Sequence, residues 1–201
     1  MIVLGIDQSL TNLGVVSLSG VAPPVYSGIH FETKQGGGQR LLTEIPGMIS
    51  PLLDTKPDLM VIEGGSFGAI GMIYSLGELS GILRYMAHQR GIQTLVPSPM
   101  TIKLFATGSG KATKIEMCLR IQAEFGFQIP NEHIADAFWM AMVGAAYLEV
   151  PGFPWNEARR SAISRLRGSA KCAKTKAASK AKKKKVKQEK DLRNLETGGS
   201  F

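Results

Sequence analysis

At 201 residues, 44% hydrophobic and 20% charged, the chain is long enough for one substantial core and is composed like a globular protein, not a fibrous or low-complexity one. Its net charge of +8 is unevenly placed: residues 156–201 hold 15 Lys and Arg against 4 Asp and Glu, whereas residues 1–155 hold 9 against 12. No apolar run reaches the roughly 18 residues of a membrane span, Ile2 to Ile6 is too short for a signal segment, and Cys118 and Cys172 lack zinc or CxxC spacing, so the reading is a soluble cytoplasmic protein with free thiols.

The first element, Met1 to Asp7, has five apolar residues among its first six, as in a strand buried on both faces. It closes on a carboxylate followed by Gln8, Ser9, Thr11, Asn12 and Gly14. An acid where a central strand leaves the sheet lies where open α/β sheets place their sites, although Asp7 also suits a solvated turn. Leu13 to Leu18 and Val25 to Phe31, separated by Gly20 and Pro23-Pro24, extend this strand into an antiparallel meander. Lys34 to Gln39 reads as a Gly-rich loop. Leu41, Leu42, Ile45, Met48, Ile49, Leu52 and Leu53 recur at helical spacing, but Pro46 and Pro51 argue against a regular helix. Leu59 to Ile62 is a second buried strand running into Glu63, and Gly64-Gly65 allow a sharp turn and a close approach to a ligand.

Ile70 to Arg90 is helical, with Gly91 as its stop; Gly77 and Gly81, one turn apart, leave a groove that serves either a second copy of the chain or the protein's own sheet. Ile92 to Val96 is a third two-sided strand, closed by Pro97 and Pro99. Met100 to Ala106 leads through a loop, Thr107 to Lys111, into a helix from Thr113 to Phe125. A last helix spans Glu132 to Leu148 with Asn131 as N-cap, and Pro151 and Pro154 end it. Beyond Trp155 the scarcity of large apolar residues predicts a disordered segment, and its lysines predict a polyanionic partner, nucleic acid before membrane. A localisation signal is the competing reading of those lysines.

On the last helix, His133 and Asp136 share a face at i and i+3, and Glu132 and Asp136 stand at i and i+4, with Ile134, Phe138, Ala141 and Ala145 opposite for packing. First-turn acids also simply suit the helix dipole. Converging acids repel unless a cation sits among them, and hard oxygens with one imidazole suit Mg²⁺ or Mn²⁺. Two such ions about 4 Å apart serve in-line phosphodiester hydrolysis.

These residues resemble the RuvC-type Holliday-junction resolvases of the RNase H-like superfamily, from Met1 to about Leu148. LGIDQSLTNLGVV is similar to that family's first strand and hairpin, with Asp7 its leading acid. VIEGGSFG is similar to the second acidic strand, with Glu63 as ligand and Phe67 near the aromatic that wedges into the junction. IKLFATGSGKATK matches the spacing of two basic residues near the scissile phosphate, Lys103 and Lys114, and HIADAFWMA matches the helix bearing the fourth acid, Asp136. Two departures stand out: many members have Asp where this chain has His133, though some bacterial ones have His, and one extra residue separates Glu63 from Phe67.

The resemblance implies an α/β RNase H-like fold, a mixed five-stranded sheet with helices on both faces, over residues 1–150, followed by a flexible lysine-rich DNA-binding tail over 151–201. It implies a homodimer that nicks four-way and other branched DNA in recombination and repair, using two Mg²⁺ ions for which Mn²⁺ can substitute. Asp7, Glu63, His133 and Asp136 are the expected ligands, with His133 completing one shell or orienting water. Lys103 and Lys114 are expected to stabilise developing negative charge. Phe67, Lys103, Lys111, Lys114 and the run Lys182, Lys183, Lys184 and Lys185 are the expected DNA contacts, with Phe67 alternatively covering a core edge and Lys103 and Lys114 alternatively solvated. The basic tail lies outside the family pattern and fits a compact viral or phage variant. An RNase H-like nuclease acting on RNA or RNA–DNA hybrid, and a junction-binding protein that does not cut, are the alternatives.

Overall fold

The structure, a computed structural model, describes residues 1–32, 37–64 and 73–168. Five strands form one sheet in the order β3-β2-β1-β4-β5: β1 (Val3–Asp7), β2 (Asn12–Leu18), β3 (Tyr26–Glu32), β4 (Leu59–Ile62) and β5 (Thr94–Leu95). β1, β2 and β3 pair antiparallel as the expected meander, and β1–β4 and β4–β5 pair parallel, so the sheet is mixed. Because side chains alternate along a strand, Leu4, Ile6, Leu13, Val15, Met60 and Ile62 point to one face. There they pack with α1 (Gly37–Asp54) and α2 (Ile73–Gln89). The other face receives α5 (Glu132–Tyr147), supported by α3 (Pro99–Thr107) and α4 (Lys114–Phe125).

Three elements differ from expectation. α1 is continuous through Pro46 and Pro51 and begins inside the expected loop, at Gly37. Its stripe of fully buried Ile45, Ile49 and Leu53 stabilises by roughly 1.5–3 kcal/mol per side chain. Together with half-buried Leu42 and Leu52, that offsets the roughly 3 kcal/mol that each of the two interior prolines costs. α5 has no solvent face along most of its length: it is buried on every side from Ala137 to Ala146. A cluster of Phe125, Phe127, Phe138, Trp139 and Phe105 packs edge to face and stacked around it and reaches Tyr26 on β3.

The third difference lies beyond Trp155. A compact unit runs from Met1 to Ile163. Among the described residues, 157–168 belong to a sixth helix, α6. Arg159, expected among free tail charges, is 1% exposed. Its guanidinium donates to both Glu124 carboxylate oxygens at 2.6 and 2.7 Å and to the Pro154 carbonyl at 2.6 Å. It also lies over the rings of Phe105, Trp139 and Phe153. A buried charge is tolerated only when paired and hydrogen-bonded in this way, and a composition rule cannot foresee that pairing.

On α2, Leu79, Leu83 and Ala87 pack into the core. Gly77 and Gly81 are exposed with open space about them, and Tyr74 and Tyr85 are exposed on the same helix. The glycine groove therefore does not cover the protein's own sheet.

Two other glycines set how near α5 comes to the sheet. A Cβ at Gly5 would collide with the carbonyl oxygen of Ala137, and one at Gly14 with that of His133. Both obstacles are helix backbone, which cannot rotate aside. Gly5→Ala should therefore cost about 2–3 kcal/mol or more, read as a lower urea midpoint at unchanged slope. A wild-type midpoint would mean that α5 can lift from the sheet freely.

Candidate active site

The site forms where β1, β4 and α5 end together. Asp7, the last residue of β1, shares the α5 side of its strand with Gly5. Glu63 follows the last residue of β4. The two strand exits are tied by Gln8, whose side-chain amide donates to the Glu63 carbonyl at 2.9 Å. α5 brings the rest: Asn131 caps it, its side-chain oxygen accepting from the Ile134 amide at 2.9 Å, and this fixes Glu132, His133 and Asp136 in the first turns.

His133 Nδ1 lies 2.9 Å from Asp7 Oδ2. With the ionised carboxylate as acceptor, Nδ1 carries the proton and Nε2 keeps its lone pair for a metal or a water proton. Lys114, at the start of α4, reaches to 3.3 Å from Glu132 and 3.8 Å from Asp136. Lys103 on α3 is near enough to Glu63 to favour its ionised form.

The site is short of positive charge. Burial, then repulsion from Asp7 and Asp136, pushes the Glu63 carboxyl up to about 7. Burial, then Asp7, pushes Asp136 up to about 6. Burial also raises Asp7, against the opposing pull of its hydrogen bond to His133. For Lys114, burial acts downward, but Asp136 and Glu132 outweigh it and hold the ammonium above its usual value.

Among the described residues, no three His, Cys, Asp or Glu side chains converge closely enough to hold an ion as they stand. The donor chemistry nevertheless fits a hard divalent cation. Three carboxylates whose ionisation burial and mutual repulsion disfavour, with one imidazole lone pair, would be relieved by such an ion.

This architecture has known counterparts. The chain is 31% identical to a crossover junction endodeoxyribonuclease RuvC of Gloeobacter violaceus over 151 residues, which is 72% of this chain and 87% of that protein. The chain belongs to the RuvC family. A RuvC of Bifidobacterium adolescentis is 34% identical over 124 residues, 58% of this chain and 64% of its own length. RuvC of Thermus thermophilus shares the fold at a TM-score of 0.62 and 24% identity, covering 74% of this chain and 96% of that one. The same RuvC in complex with a Holliday junction substrate matches at 0.62 over 70% and 90%. No protein-family model matches the chain. Of the two departures from the RuvC pattern noted in the sequence, His133 is in contact with Asp7, and the segment that contains Phe67 lies outside the described residues.

Of the residues expected from the sequence, Asp7, Glu63, His133, Asp136 and Lys114 come together, with Lys103 beside Glu63. Lys111 is exposed in the turn between α3 and α4. Lys182, Lys183, Lys184 and Lys185, like Phe67, lie outside the described residues. The role of Gln8 went unforeseen; its place directly after Asp7 was the available signal.

A carboxyl raised in the folded state favours its protonated form there. Its contribution to stability is present below the unfolded value near 4 and is lost as pH rises through about 6 for Asp136 and about 7 for Glu63. Glu63→Gln should therefore melt higher than wild type at pH 8, by about 1–3 kcal/mol, and lose that advantage toward pH 4. Identical melting curves at pH 8 would show that Glu63 carries no such electrostatic burden.

Proposed function

We propose that this chain is a divalent-metal-dependent endonuclease that resolves four-way junctions and cuts other branched DNA, serving recombination and repair in the cytoplasm. The observation that carries the reading is the meeting of Asp7, Glu63, His133 and Asp136 at the ends of β1, β4 and α5, beside Lys114, in a chain of the RuvC family.

Asp7, Glu63, Asp136 and the Nε2 of His133 would hold Mg²⁺, or Mn²⁺ in its place. When bound, two such ions supply a water acidified enough to attack and a positive clamp on the phosphate oxygens. The protein's own groups do the rest. Gln8 keeps the exits of β1 and β4 in register, so that the carboxylates on them keep their spacing. Asp7 orients the His133 ring through Nδ1, leaving Nε2 to bind or to take a proton from water. Lys114, held protonated by its acidic neighbours, and Lys103 face the charge that develops on the phosphate.

Asp7→Asn or Asp136→Asn should lower cleavage of a labelled four-way junction in Mg²⁺ by about 10²–10³-fold or more while junction binding persists, and chelator should abolish wild-type cutting. Faster cutting of an RNA–DNA hybrid, or binding without cutting, would instead support one of the two alternative activities.

Clean resolution needs paired nicks on symmetry-related strands, which a C2 dimer supplies. The exposed groove of Gly77 and Gly81 on α2, flanked by Tyr74 and Tyr85, is the proposed interface. Since nothing among the described residues crowds Gly81, Gly81→Leu should stay folded, sediment as a monomer and nick one strand but rarely both. A dimeric Gly81→Leu protein would move the interface elsewhere. The lysines from Lys182 to Lys185 add phosphate contacts that raise affinity without selecting sequence.

A further inference from the structure

We propose that His30, on the edge strand β3, is a positioning residue that sets the plane of the His133 ring. The sheet register places Asp7 opposite Gly14, and Gly14 opposite His30, so these three residues form one row across β1, β2 and β3. The middle of the row has no side chain, and the α5 backbone at His133 settles onto it. His133 is thereby seated above a notch with Asp7 on one side and His30 on the other. Its Nδ1 meets Asp7 at 2.9 Å, and its ring lies parallel to that of His30, with centroids 5.3 Å apart and planes within 9°.

One hydrogen bond cannot fix an imidazole, because the ring can still swing about the axis through Nδ1. A parallel ring against its face removes that freedom, and together the two contacts determine where Nε2 points. The Nε2 of His30 itself is buried with no hydrogen-bond partner among the described residues. Such an unpaired nitrogen is a net cost to the fold. What His30 demonstrably provides is therefore its flat face, not a polar contact.

The inference rests on the reading of His133 as a functional ligand or base, and the test separates the two. Three variants replace the ring differently. His30→Phe keeps the flat face and drops the unpaired nitrogen, His30→Leu keeps apolar bulk without a face, and His30→Val is at home on an edge strand should the leucine variant fold poorly. Junction cleavage is measured in Mg²⁺ with kcat and KM separated, beside thermal melting and a His133→Ala control. Expected is a kcat about tenfold lower in His30→Leu and His30→Val, a loss of the size produced by loosening a positioned group. KM should stay near wild type, and His30→Phe should retain wild-type kcat with equal or higher melting temperature. Equal activity in all three variants, or equal loss in all three including His30→Phe, overturns the role of the flat face. If His133→Ala itself cuts at the wild-type rate, it is the reading of the site that fails.

Discussion

The contact on which the rest of the structure depends is the seating of α5 directly on β1 and β2. It is backbone against backbone: Gly5 under Ala137 and Gly14 under His133 leave no side chain between helix and sheet. A helix on a sheet normally stands off by the thickness of the interleaved side chains, with neighbouring layers about 10 Å apart. Removing that layer at two points brings a helix N-terminus down to the level of the strand ends. A carboxylate on β1 and an imidazole on α5 can then touch at 2.9 Å although 126 positions separate them in the chain. The aromatic cluster around α5, which reaches Tyr26 on β3, holds it there.

That close seating has an electrostatic consequence. Asp7, Glu63 and Asp136 are driven together and partly out of water, and burial is the leading reason that each resists ionisation. Folding thus works against a local accumulation of negative charge, softened by Lys114 and Lys103. Strain of this kind is what a site designed to gather cations and phosphate would be expected to contain.

How much of this could be read beforehand follows from which physical signals are local. The acids at the ends of β1 and β4 announce themselves because a buried apolar strand that terminates on Asp7 or runs into Glu63 breaks its own pattern. The N-cap of α5 and the spacing of His133 and Asp136 are likewise local. The helix through Pro46 and Pro51 was not legible, because a local rule about proline lost to burial of Ile45, Ile49 and Leu53 against elements far away in the chain. The all-round burial of α5 left a trace in the absence of any charged residue from Ala137 to Tyr147, but two-sided patterning obscured it. His30 had no such trace, and Gln8 only its place directly after Asp7. Their neighbours are set by cross-strand register, which no short window of sequence contains.

The guanidinium of Arg159 bears on how the C-terminal charge can be counted. Its partners Glu124, Phe105, Trp139 and Phe153 all belong to the compact unit, so this arginine is a rivet of the fold, not a free counterion. Removing the chain from residue 156 onward would strip the cover from three aromatic rings and leave the Glu124 carboxylate with Arg120 in place of its two-pronged contact to Arg159. Weak DNA binding by so shortened a protein would then report a damaged core as much as missing lysines. A cut that isolates the contribution of the polycation keeps the helical residues 157–168.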